Sequence, residues 1–397
     1  MPKAYKLQGK HKHYDWGGTS FIPNLMGIEN VNHSPYAEYW MGAHPSAASY
    51  VITSNGENRL DVLVHQDPQK WLGEKTAQTF GSLPYLFKIL DVNKMLSIQV
   101  HPTKENAIVG FEKEQAAGIP EDAVNRNYKD KNHKPEVMVA LSDFWLLHGF
   151  LPSSILEERL LRYQPFNSLI KQFKGTDYQK LYAYFMDLPM ELSDQILKPL
   201  LEEAAAAVKN GMVTKSDPHY WAHKYYAEGI PATHIDKGIF SIYILNIVHL
   251  PKYSGIFQGA GLLHAYLEGQ NIELMANSDN VLRGGLTPKY VDSKELIQQV
   301  NFEPTYPVIL KGERINQQET NYPCATADFG LTKIALEVGE SYTISSHSME
   351  MLLAMEGTVL VDHLTLKSGD SVVISPDSKI ELIALQPTVL FRSFVPE

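Results

Sequence analysis

Gln99 and His101, two positions apart in Leu96-Ser97-Ile98-Gln99-Val100-His101-Pro102, are residue types whose spacing suits metal binding. In a strand such a pair projects to one face, so an amide oxygen and an imidazole converge while Leu96, Ile98 and Val100 fill the other face. The same alternation also fits a half-buried strand with its polar residues in water, so partners are needed from elsewhere. Residues 125–136 are dense in polar and cationic groups and end at Glu136, directly before the apolar Val137-Met138-Val139-Ala140-Leu141. This loop brings His133, Lys134 and Glu136 to the entrance of a buried strand, where rigid scaffolds often place binding groups; a solvated charged loop is the plainer alternative. A second histidine, His264, follows Gly261-Leu262-Leu263 in a turn between strand-like runs. Two imidazoles, one carboxylate and one amide oxygen suit a borderline divalent ion such as Zn2+, one per chain.

The bulk composition narrows the function classes. At 397 residues, 44% hydrophobic and 20% charged, the chain is an ordinary globular sequence too long for one core. A formal net charge of -10 argues against nucleic acid as the main partner, since phosphate backbones attract basic surfaces. An anionic substrate therefore needs a local positive pocket. The single cysteine, Cys324, permits neither an internal disulfide nor a thiolate zinc site. Met1-Pro2-Lys3-Ala4-Tyr5 lacks the apolar core of a signal peptide, and no run approaches about 18 apolar residues. A cytoplasmic protein without membrane contact is expected.

The elements that must position these residues read as mainly β. Up to residue 60, Gly and Pro punctuate short strands and turns; Trp16 beside Gly17-Gly18 is a platform for a sugar ring or an aromatic closing a sheet. The runs 85–90 and 95–100, joined by Asp91-Val92-Asn93-Lys94, read as a hairpin. Thr103 caps a helix reaching about residue 117, before Gly118. Between 151 and 237 the pattern turns helical. Ser154-Ile155-Leu156-Glu157 has capping-box spacing, and helices are expected over 176–187, over 193–210 and from Ser216-Asp217-Pro218 to Gly229. Tyr220, Trp221, Tyr225 and Tyr226 there read as packing. Residues 239–250 are almost wholly apolar, as in a strand buried on both faces. Alternation in Asn271-Ile272-Glu273-Leu274-Met275 sets Glu273 beside its polar neighbours, and the glycine-rich loop 277–289, with Arg283 and Lys289, can approach a phosphate closely. Past Pro307 a further jelly roll is expected, in which His347 and His363 stand alone and carry no chemistry.

Taken together, these motifs resemble the type I mannose-6-phosphate isomerases, or phosphomannose isomerases, of the cupin superfamily. Gly-x-x-His at Gly261–His264 is similar to the second half-motif of cupin barrels. Gln99-Val100-His101-Pro102, Asn132-His133-Lys134-Pro135-Glu136, Gly261-Leu262-Leu263-His264-Ala265-Tyr266 and the loop 278–289 occur in the family's order. The likeness is good over residues 5–310 and loose beyond. It implies cupin-like jelly-roll barrels with an inserted α-helical domain: 1–150 with 238–310 as the catalytic barrel, 151–237 as the insert and 311–397 as a C-terminal jelly roll. It further implies a zinc enzyme interconverting mannose 6-phosphate and fructose 6-phosphate, acting as a monomer on a phosphorylated hexose. By the same resemblance Gln99, His101, Glu136 and His264 hold the metal, Arg283 is the catalytic arginine, and Trp16, Lys88, Ser97, Lys134, Glu273, Asp279 and Lys289 line the pocket. Gly284-Gly285 departs from the family's common Ala-Gly, and the extra glycine is expected to loosen the Arg283 loop.

Moving a proton from C2 to C1 through a cis-enediol needs a base, a stabiliser of oxyanion charge and a phosphate anchor. Arg283 keeps its proton near neutrality, so it is a stabiliser or phosphate clamp. Glu273 is the preferred base, with His133 and Lys134 as rivals. Lys88, Ser97 and Lys289 are set to hold the phosphate, although Lys88 at a strand end also reads as a snorkelling surface lysine. Asp279 and His101 are candidates for ring opening by resemblance, and Glu38 has no role. Two other classes compete: a cupin dioxygenase holding Fe(II) by two histidines and a carboxylate, and a non-catalytic sugar-phosphate sensor. Neither needs the acid/base and anion-binding set of Lys88, Lys134, Glu273, Arg283 and Lys289.

Overall fold

The strand Tyr85–Val92 is buried along its whole length, as a run lying between two packed layers must be. In the computed structural model, which describes residues 3–54, 56–166 and 177–397, it forms no hairpin with residues 95–100. It pairs with Glu38–Gly42 on one side and with the long strand His264–Ala276 on the other. The strand holding Gln99 is only Gln99–Val100, bonded to His264 and to Leu282–Arg283. Its approach is set by distant backbone: Leu96 N–H donates to Tyr266 O at 2.9 Å and Ile98 N–H to Gly285 O at 3.0 Å. The turn signal at Asp91–Lys94 was local, whereas these partners are far along the chain.

The fold is strand-dominated, in the cupin-like manner expected. A ten-stranded antiparallel sheet has the path Leu245–Leu250, Phe144–Phe150, His264–Ala276, Tyr85–Val92, Glu38–Gly42, Lys10–Lys12, with Glu136–Ala140 also against His264–Ala276. Its odd-even alternation is clear. Phe87, Ile89, Val137, Val139, Ile272 and Leu274 join Leu7, Val51, Leu353, Val373 and Phe391 of a nine-stranded sheet in one apolar core. Leu90, Met138, Ala140 and Tyr266 point the other way, into the barrel that also receives Lys88, Glu136 and Glu273. The nine-stranded sheet covers its far side with a four-stranded sheet around Ile334, Leu352, Val359 and Leu382. The strand Ala4–Gln8 lies in this nine-stranded sheet, between Ser371–Ile374 and Tyr50–Thr53.

Four helices, Ser153–Arg162, Tyr178–Asp187, Met190–Lys209 and Pro218–Tyr225, pack on the barrel end through Leu147, Phe150, Ala265 and Leu267. Thr176, the expected first residue of the second, lies outside the described residues. The first helix starts under Pro152 without a side-chain capping bond, so Ser154-x-x-Glu157 is no capping box. The last stops at Tyr225 rather than Gly229, and residues 239–250 are not one strand. Gly238–Ile244 is helical and buried on every side, and only Leu245–Leu250 is extended. A helix without a polar face shows no period of 3.6, so it reads like a buried strand. Among the described residues no helix is long and apolar enough to cross a membrane.

One irregularity of the central strand bears on everything near it. His264, Ala265 and Tyr266 face His148, Leu147 and Leu146 in register, but the next pair is Glu268 with Trp145, which leaves Leu267 as an extra residue. Gly269 follows at φ 123°, and a Cβ there would sit 2.7 Å from Asp143 O. Gly269→Ala should therefore lower the free energy of unfolding in urea by at least about 2 kcal/mol. A variant as stable as the wild type would show that the bulge does not need glycine.

Candidate active site

Two cross-strand rows build the site. Arg283, Gln99, His264 and His148 stand opposite one another on four neighbouring strands, and Trp40, Lys88 and Glu273 on three, the last of them again the strand of His264. Directly opposed residues share a face. The first row meets Glu136 and His101. His101 Nε2 lies 3.3 Å from Glu136 Oε1 and His264 Nε2 3.4 Å from Oε2, and one ligand atom from each residue fits within 4.8 Å. His101 Nδ1 approaches Asn280 O at 2.7 Å and His264 Nδ1 approaches Leu262 O at 2.9 Å. Donation from each Nδ1 leaves the two Nε2 lone pairs aimed at a carboxylate. His101 Nε2 is buried with no hydrogen-bond partner. Burial, then the Lys134 ammonium, push the His101 imidazolium down to about 4, so the ring is neutral at pH 7. Burial would raise Glu136, but Lys134 at 3.1 Å and then His101 outweigh it and hold the carboxyl well below the ordinary range. Lone pairs converging on an ionised carboxylate are what a cation requires. Gln99 lines the same inner chamber, of ≈ 110 Å³, as Glu136 and His264.

The second row supplies the titratable groups. Glu273 accepts from Lys88 Nζ at 3.1 Å and from the Tyr266 hydroxyl at 2.8 Å, and burial raises its pKa above the ordinary 4.5 against the opposing pull of Lys88. Lys88 also lies 3.7 Å from Glu38, which the Trp40 indole N–H donates to. Burial would drive the Lys88 ammonium down, but Glu273 and Glu38 hold it above the usual lysine value. At 6% exposure Lys88 is no snorkelling surface lysine. Tyr266 stays neutral, raised first by burial and then by Glu273, so it donates.

The chamber opens into a cleft of ≈ 870 Å³ lined by Trp16, Lys88, Ser97, Gln99, Lys134, Asp279, Arg283 and Lys289, a size suited to a small polar metabolite. Asp279 receives His44 Nε2 at 3.3 Å, and that contact lowers its pKa against burial, which would raise it. Arg283 is half-buried and, among the described residues, ion-pairs with no carboxylate. His133 is the expected residue that the structure does not bring here. Its Nε2 pairs with Asp328 at 2.9 Å, and it lines another cleft with Thr79, Lys104 and Asn277. Its neighbour Lys134 points the other way, to Glu136. Nor does the extra glycine loosen the Arg283 loop: Gly284 N–H donates to Ile98 O at 2.8 Å, and the Tyr182 hydroxyl fills the room a methyl group would need, 2.6 Å from it. Sequence reasoning gave no role to Glu38, Trp40, Tyr266 or His44. Only Tyr266 carried a usable signal, its spacing of two from His264.

Residues 4–153 match the family described as phosphomannose isomerase type I, catalytic domain. Over 367 residues the chain is 38% identical to the mannose-6-phosphate isomerase of Salmonella typhimurium, with 90% of each chain covered. The chain belongs to the mannose-6-phosphate isomerase family. It is also 38% identical over 362 residues to the family's Escherichia coli member, covering 89% of this chain and 88% of that one. The solved structure of the Salmonella typhimurium isomerase bound to its substrate and a zinc atom covers 100% of both chains, with a TM-score of 0.86 at 33% identity.

Replacing the only carboxylate of the three-residue cluster tests the centre directly. Glu136→Gln should cut the divalent metal retained per chain after dialysis by at least about tenfold, read by elemental analysis. Unchanged metal content would place the ion elsewhere.

Proposed function

We propose that this chain interconverts D-mannose 6-phosphate and D-fructose 6-phosphate through a cis-enediol, with zinc held by Gln99, His101, Glu136 and His264. One arrangement carries the assignment of roles: a buried carboxylate of raised pKa, Glu273, beside the converging ligands, with the unpaired Arg283 at the mouth of the same cavity. A zinc ion there supplies positive charge to oxygen atoms that become anionic during the reaction. The remaining work falls to the protein's own groups.

Glu273 takes the C2 proton of the open-chain aldose and returns it to C1. Tyr266 and Lys88 hold its two oxygens, and the buried setting keeps its pKa high enough for it to serve as acceptor and donor in turn. Arg283 faces the enediolate oxygens as a fixed cation. Ser97 and Lys289 take the phosphate. Lys88 suits that task poorly, since Glu38 and Glu273 beside it would repel a dianion; it orients the base instead. Lys134 steadies Glu136. Asp279, backed by His44, serves ring opening, and Trp16 forms the sugar platform at the rim. The reading includes action as a monomer in the cytoplasm, and none of the roles above calls for a second chain. A dioxygenase or a sensor has no use for the Lys88–Glu273–Tyr266 assembly.

Zinc-loaded protein turning over mannose 6-phosphate in heavy water should accumulate solvent deuterium in the sugar over many turnovers. Equilibrium reached with no label in either sugar would mean a hydride shift and overturn the enediol route; no turnover would overturn the activity. Glu273→Gln should lower kcat by about two orders of magnitude or more, with zinc retained. The base works only when ionised, so activity is present above its raised pKa and is lost as pH falls through it. The acid limb of kcat/KM should thus lie above 4.5. Tyr266→Phe removes a hydrogen bond that favours the charged form and should move that limb to higher pH. A limb that stays in place would exclude Glu273 as the titrating group.

A further inference from the structure

Beyond Arg283 the chain runs through Gly284-Gly285-Leu286-Thr287 in a conformation that an unsupported loop would not keep. Leu286 is buried and left-handed, at φ 54°, a region that branched L side chains rarely adopt. On the barrel side the loop is tied to Ile98, the residue before Gln99, by the N–H of Gly284 and the carbonyl of Gly285. On the other side it meets one carboxylate, Asp236, at the end of the helical insert. Asp236 Oδ1 accepts the Leu286 N–H at 2.9 Å and the Gly238 N–H at 2.7 Å; Oδ2 accepts the Thr287 N–H at 2.8 Å and the Tyr225 hydroxyl at 3.4 Å. The two main chains touch, since a Cβ on Gly285, itself at φ 113°, would lie 2.5 Å from Gly238 Cα. Asp236 is anchored in turn. Its own N–H donates to the Tyr226 hydroxyl at 2.8 Å, and the N–H groups of His234 and Ile235 donate to Asp194 on the helix Met190–Lys209, each at 2.9 Å.

We propose that Asp236 is a positioning residue for the isomerase reaction: by accepting the N–H groups of Leu286 and Thr287 it fixes where Arg283 projects, and so makes the helical insert part of the catalytic apparatus. This rests on the role given to Arg283 above. A carboxylate is the group the place requires, because its two oxygens accept on both sides at once, whereas an amide offers one oxygen and turns an NH2 group against the remaining N–H. Tyr225 and Tyr226, beside Asp236, line the substrate cleft together with Arg283, so the insert both walls the site and aims its cation.

The test uses full-length, zinc-loaded protein. Asp236→Asn should keep the wild-type zinc content and lower kcat for mannose 6-phosphate by about ten- to a hundredfold, the scale of a small misplacement, with KM changed by less than about threefold. In an Arg283→Lys background the same change should cost less than about twofold, because two residues acting through one group are not additive. A folded Asp236→Asn enzyme with wild-type kcat, or full additivity with Arg283→Lys, would overturn the proposal. Hydrogen exchange gives a readout without turnover. The amides of Leu286 and Thr287 should exchange slowly in the wild type and faster in Asp236→Asn, and free exchange in the wild type would refute the clamp even if the variant does not fold. A wild-type protein unable to isomerise mannose 6-phosphate would instead end the functional reading, and the exchange rates would still decide whether the clamp exists.

Discussion

The site depends on a one-residue register change in the strand His264–Ala276. Side chains alternate along a strand, so His264 and Glu273, an odd number of positions apart, belong on opposite faces of a regular one. The extra residue Leu267 and the left-handed Gly269 reverse the alternation between them. The hydrogen bond from Tyr266 to Glu273 shows the outcome, a residue on each side of the bulge facing one chamber. His264 and Glu273 are thereby carried by one continuous strand, hydrogen-bonded along both edges to the strands that bring Gln99, Lys88 and Glu136. Bulges commonly re-aim side chains next to active sites, and here the bulge turns His264 and Glu273 into one chamber.

The second constraint is electrostatic. The inner chamber buries Glu38, Glu136 and Glu273 with Lys88 and Lys134, ions whose burial is costly unless each is paired. Each ammonium lies against a carboxylate, and Lys88 is shared between two. Counted as ionised, the carboxylates exceed the ammonium groups by one. A divalent ion held there would reverse that sign and make the chamber attractive to anionic oxygen. On a chain of net charge -10, this local reversal and the unpaired Arg283 explain how an anionic sugar is held at all.

The helical insert follows from the same needs. Leu147, Phe150 and Leu267, on the outward face of the barrel end, require an apolar cover, and Leu156, Trp221 and Phe240 supply it. Asp236 lies where that cover meets the Arg283 loop, so packing and function share a boundary. Helix positions there were legible from periodicity, whereas Gly238–Ile244 was not, because burial on every side removes the period.

Residue types and order along the chain were enough to recognise the family and to single out His101, Glu136 and His264, which the fold brings together, since each motif is local and its chemistry follows from the groups it holds. They also sufficed for the mainly β class and for the helical stretch. Pairing was another matter. The strand Tyr85–Val92 found its partners in residues far along the chain, and local turn residues carry no information about distant edges. His133 and Lys134 are adjacent in sequence, yet one pairs with Asp328 outside the chamber and the other with Glu136 inside it, a division that only the placement of the distant partners decides. Glu38 acquired a partner in Lys88, and the bulge at Leu267 brought Glu273 round to the chamber of Glu136 and His264. These were decided by tertiary structure because they depend on which faces meet across the barrel, and an alternating pattern leaves that open until register and bulges are in place.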